Sequence, residues 1–167
     1  MLLLTERAKN FAEISITPKR ILVPVDGSEN SARAANVAIE YARKFEAELF
    51  VLHAIAIPAH TLALVEGNME GLESSEMREY FALARRKAKT IVDEVVKSAE
   101  AKNVKATGII HEYSFSVVET IVDQAAKYNV DLIVIGTRGL TGFKKLLVGS
   151  VSSGVVNHAH CSVLIVR

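Results

Sequence analysis

Five short apolar runs punctuate this chain, and a stretch with helical character separates each from the next. The runs are "RILVPV" (20–25), "AELFVLHAIAI" (47–57), "VKATGII" (104–110), "VDLIVIG" (130–136) and "CSVLIVR" (161–167). Several are nearly continuous in Val, Ile and Leu, the pattern of strands covered on both faces, as in a parallel sheet. Between them "SARAANVAIEYARKF" repeats Ala34, Val37, Ala38 and Tyr41 at helical spacing, with Ser28 or Asn30 as its cap. A long helix is expected from Ser75 to Lys102, its apolar stripe drawn by Leu83, Lys87, Ile91, Val95 and Val96. "SFSVVETIVDQAAKYN" supplies a third helix and "GSVSSGVVNHA" a short fourth. Strand and helix alternate throughout, which makes the class α/β. The expected architecture is an open five-stranded parallel sheet in the order 3-2-1-4-5, with helices on both faces. Residues 1–19 read as an N-terminal extension, 20–167 as one domain, and 58–74 as an irregular insertion.

Charge narrows the partners. Twenty basic residues stand against 19 acidic ones, for a net charge of +1. That balance gives no footprint for duplex nucleic acid or an anionic membrane, so neither is an expected partner. The single cysteine, Cys161, excludes an intramolecular disulfide and suits a reducing compartment. No apolar run approaches a membrane span, and a cytoplasmic location is expected.

Two polar, turn-rich segments follow strands: "PVDGS" after the first and "GTRGLTG" after the fourth. In an open α/β sheet, ligands sit beyond the carboxyl ends of the strands where strand order reverses. With strands one and four as neighbours, these loops face one crevice. Gly136, Gly139 and Gly142 let backbone amides approach a bulky anion. Gly149 opens a helix whose first residues are Ser150, Val151, Ser152 and Ser153, and free N–H groups there suit phosphate. Arg138, Lys144 and Lys145 add positive charge. The plainer alternative is that the glycines make a tight turn and the serines cap a helix. Asp26 can accept hydrogen bonds from ribose hydroxyls or help hold a divalent cation; alternatively it starts the turn "DGS". Neither a Walker loop nor a dinucleotide fingerprint is present, because Lys144 stands where the former needs its second glycine and no G-x-G-x-x-G occurs.

Gly136, two residues, Gly139, nine residues, then Gly149-Ser150 resembles the G-2x-G-9x-G-[ST] signature of the ATP-binding subgroup of universal stress proteins. The resemblance extends through "RILVPVDGS", "LFVLHAI", "VDLIVIGTRG" and "LLVGSVSSGVVNHAHCSVLIVR". It implies an adenine nucleotide alpha hydrolase-like fold that binds ATP, with Mg or Mn as accompanying ion. On that resemblance Pro24, Val25 and Asp26 lie beside adenine and ribose, and Ala54 lies near the base, smaller than the valine common there. Ile135, Gly136, Arg138 and Gly139 line the fourth-strand side, and Gly149, Ser150, Val151 and Ser152 hold the phosphates. Phe115 departs from a Gly-x-Pro common before the third helix and is expected to narrow the rim or pack on the base. The resemblance also implies a homodimer through the C-terminal strand, an apolar edge that invites pairing.

These features point to a nucleotide-dependent regulatory or sensor module in stress response, with no catalytic residue assigned. A slow Mg- or Mn-dependent ATPase is the enzymatic alternative, and Asp26 would be its acidic group. A dimer that serves structure or interaction without nucleotide is the other. A receiver-type phosphoacceptor ranks last, since strand one supplies Asp26 alone. "HAHC" (158–161) lacks the further ligands of a metal site, His53 reads as a satisfied core or interface histidine, and His111 and Glu112 as a solvated turn. Cys161 reads as buried rather than reactive.

Overall fold

The computed structural model describes residues 17–58, 61, 74–139 and 148–167. The expectations for Gly142, Lys144, Lys145, the N-terminal extension before Thr17 and most of the 58–74 insertion lie outside the described residues.

Each apolar run forms a strand: β1 (Arg20–Pro24), β2 (Glu48–Ala56), β3 (Ala106–Ser114), β4 (Leu132–Gly136) and β5 (Ser162–Val166). They join in one sheet ordered β3-β2-β1-β4-β5, and every pairing is parallel. The period of two along each strand divides the core. Ile21, Val23, Leu49, Val51 and Val134 face one side, while Leu22, Phe50, Leu52, Ile133 and Ile135 face the other. Helices α1 (Glu29–Phe45) and α2 (Ser75–Glu100) cover the first face with Ala34, Ala38, Ile39 and Val92; α3 (Val117–Lys127) and α4 (Ser150–His158) cover the second with Ile121, Ala125 and Val155. Burial of each large aliphatic chain is worth roughly 1.5–3 kcal/mol, so both layers are held chiefly by apolar contact. The polar residue in the fourth run ties two strands together. Asp131, just before β4, accepts the Lys19 and Arg20 backbone N–H groups at 2.8 and 2.9 Å and pins the start of β1.

The long helix turns a different stripe to the core from the one its sequence suggested. Met77, Phe81, Ala88, Val92 and Ala99 are buried and Ile91, Val95 and Val96 pack beside them, but Leu83 and Lys87 are exposed. Leu83 follows Phe81 by two residues, close to the opposite side of a 3.6-residue turn. A second correction concerns β3, which runs on through His111 and Glu112 where a solvated turn was expected. Pairing with the long β2 carries it to Ser114, across a register shift near Tyr113, whose φ is +59°.

Candidate functional site

The chain leaves β1 through Val25 and bends at Asp26. Asp26 Oδ1 accepts the Ser28 backbone N–H at 2.9 Å, and the Ser28 side chain accepts from Ser31 N at 3.1 Å to cap α1. The turn-forming role weighed for Asp26 is therefore present. On the neighbouring strand, the segment after β4 passes directly over the same carboxylate. A Cβ built on Gly139 would stand 2.5 Å from Asp26 Oδ2. The loops after strands one and four thus meet, as the strand order requires.

Between them opens a cavity of about 540 Å³. Twelve of the sequence-predicted positions line it. Pro24, Val25 and Asp26 form the β1 side, Ala54 the β2 floor, and Ile135, Gly136, Arg138 and Gly139 the β4 side. Gly149, Ser150, Val151 and Ser152 line it from the start of α4. Asp26 and Ser150, far apart in sequence, border one space.

The helix that starts at this cavity begins differently from the other three described helices. Ser28, Ser74 and Ser116 each cap their helix with a side-chain oxygen, whereas Gly149 at the start of α4 offers none. First-turn N–H groups carry the positive end of the helix dipole. Ser152 is buried at 3% exposure, and its hydroxyl points to main chain, donating toward Gly136 O at 2.8 Å and Thr137 O at 3.2 Å.

The rest of the lining is mostly apolar and was missed in the sequence. Leu52 and Ala56 flank Ala54 on one face of β2, a period-two signal that was available. Val117 and Ile121 stand four apart in the first turns of α3, and Ser31 comes from the first turn of α1. Phe115, expected at the rim or on the base, is 55% exposed and does not line the cavity. It precedes the Ser116 cap, so the inward-facing stripe begins only with Val117.

Gly136 also departs from expectation. A Cβ there would lie 2.8 Å from the backbone carbon and oxygen of Asn30. The missing side chain makes room for α1 rather than for an anion.

The sequence profile of the Universal stress protein family matches residues 17–167. This chain belongs to the universal stress protein family. Universal stress protein MJ0531 of Methanocaldococcus jannaschii is 37% identical over 151 residues, spanning 89% of this chain and 82% of that one. Among solved structures, universal stress protein UspA from Lactobacillus plantarum is 30% identical with a TM-score of 0.62, covering 89% of this chain and 97% of that one. The universal stress protein from Archaeoglobus fulgidus in complex with dAMP is 21% identical, with a TM-score of 0.63, and the match covers 89% and 97% of the two chains.

Three further side chains of this universal stress protein lie outside the cavity lining. His53 lies on β2, where the ring has a hydrogen bond with the Val25 backbone while its buried Nδ1 has no partner, so the satisfied histidine expected is met at one nitrogen only. Burial pushes its pKa below the ordinary 6.5, opposed by the Val25 backbone and the Asp26 charge. His158 Nδ1 meets Gly154 O at 2.8 Å within α4. Cys161 is half-buried, and burial, with Asp131 nearby, pushes its thiol pKa up. Among the described residues, no group of three or more His, Cys, Asp or Glu side chains is placed to hold a metal ion, and no helix is long and apolar enough to cross a membrane.

Proposed function

We propose that the cavity between β1 and β4 binds an adenine nucleotide, ATP in the first instance, and that the protein acts as a nucleotide-dependent regulatory module in stress response. One observation carries the reading. A single cavity is lined both by apolar side chains, Leu52, Ala54, Val117, Ile121 and Ile135, and by the uncapped N-terminus of α4, with Asp26 on the same lining. A flat aromatic base suits the first environment and phosphate oxygens suit the second. Asp26 is then the group for the ribose hydroxyls or for a Mg or Mn ion accompanying the phosphates. The Archaeoglobus fulgidus protein shares the fold and holds dAMP, a likeness that carries architecture while the ligand is argued from the cavity. Mass spectrometry of small molecules released from the purified protein tests this: an adenine nucleotide in the released fraction supports it, and another ligand class in its place counts against it.

The second half of the proposal is a homodimer through β5. This strand lies at the sheet edge, hydrogen-bonded to β4 on one side, and its apolar residues Val163–Val166 are all partly exposed. Light scattering on the purified protein is expected to give twice the 18.2 kDa chain mass. A monomer at tens of micromolar would rule this out.

A further inference from the structure

We infer that Ser152 is a positioning residue: its hydroxyl latches the first turn of α4 to the end of β4, and it does not bind phosphate itself. The inference rests on reading the cavity as a nucleotide site and assigns one of its residues a different part from the one the sequence implied.

A serine hydroxyl has one proton to donate. That of Ser152 is directed at two carbonyl oxygens, Gly136 O at 2.8 Å and Thr137 O at 3.2 Å. A phosphate oxygen only accepts at neutral pH, so it would meet the lone pairs of the same oxygen while the latch holds. The residue is also only 3% exposed, so little of it reaches the cavity it borders. Ser150, two residues earlier, is exposed and lines the cavity.

The latch is part of a larger join. Thr137 O also accepts the Gly149 N–H at 2.7 Å, and Thr137 N donates to Val166 O at 2.8 Å. Thr137 therefore ties the end of β4 to β5 on one side and to the start of α4 on the other. The Ser152 hydroxyl adds the attachment inside the helix itself. Without it, Gly136 O loses this donor, and of the two hydrogen bonds seen at Thr137 O the one from Gly149 N remains. Amides aimed at phosphate are effective only while they are held in place before the ligand arrives.

The test compares Ser152→Ala, Ser152→Thr and Ser150→Ala by calorimetry with ATP and adenosine, and by amide hydrogen exchange without nucleotide. In Ser152→Ala, we expect ATP affinity to fall about tenfold with adenosine affinity unchanged, while the Gly149 and Ser153 amides exchange about tenfold faster. Both amides are hydrogen-bonded in the native protein, to Thr137 O and Gly149 O, so their protection is measurable. Ser152→Thr is expected to restore both readouts, and Ser150→Ala to weaken ATP with exchange unchanged. A loss of ATP affinity in Ser152→Ala with native exchange would make the hydroxyl a direct ligand and overturn the inference. Faster exchange with ATP affinity intact would overturn it equally. A wild-type protein that binds no ATP would sink the nucleotide reading alone; unchanged exchange in nucleotide-free Ser152→Ala would then still refute the latch.

Discussion

Replacing Ala54 by phenylalanine is expected to lower nucleotide affinity at least about 100-fold, or ~2.7 kcal/mol, while leaving the fold in place. Ala54 sits midway along the apolar floor between Leu52 and Ala56, and all three line the cavity from one face of β2. A ring added there extends into the space assigned to the base. The backbone of β2 has no reason to move, because the new atoms enter an existing void and bury apolar surface. Unfolding free energy in urea is therefore expected to change by less than about 1 kcal/mol. The contrast between the two measurements is the informative part. Unimpaired nucleotide binding in Ala54→Phe would place the base elsewhere, whatever the fate of the phosphates.

Gly136→Ala is expected to fail in the opposite way, through stability first. The added Cβ meets the carbonyl carbon and oxygen of Asn30 at 2.8 Å, and backbone cannot rotate aside as a side chain can. Either β4 or the first turn of α1 must shift. Overpacking of this kind costs about 1–3 kcal/mol, and Gly136 is buried at the end of β4, paired with Val166. The same shift would reach the site, because α1 begins at the Ser28 cap that Asp26 orients. Urea unfolding should show the midpoint falling, with ATP affinity reduced as a consequence. A variant as stable as wild type would mean that β4 and α1 are not in the close contact described.

Strand order and the meeting of two loops were legible because apolar runs and turn residues are local signals that topology rules then arrange. The glycines were legible as positions of close approach, but the partner was not. Gly136 approaches Asn30 and Gly139 approaches Asp26, contacts between residues separated by more than a hundred positions. The apolar half of the cavity was partly readable. Leu52 and Ala56 follow from Ala54 by strand periodicity, and Val117 with Ile121 by helical spacing, once Ser116 is taken as the cap. Phe115 was placed inward on the family resemblance alone, and it lies before the Ser116 cap, outside the helix's inward stripe. The stripe of α2 erred for a different reason, since a helix of 26 residues offers more than one apolar phase and tertiary packing chooses among them. The run of β3 past Ile110 has no local sequence signature, because its pairing with the long β2 sets it. The direction of the Ser152 hydroxyl is likewise a tertiary fact, decided by where β4 ends.

The decisive experiment for the nucleotide site is titration calorimetry on protein stripped of bound nucleotide. One saturable ATP site per chain is expected, with adenosine binding more weakly because it leaves the start of α4 unfilled. No heat and no competition at millimolar ATP would contradict it.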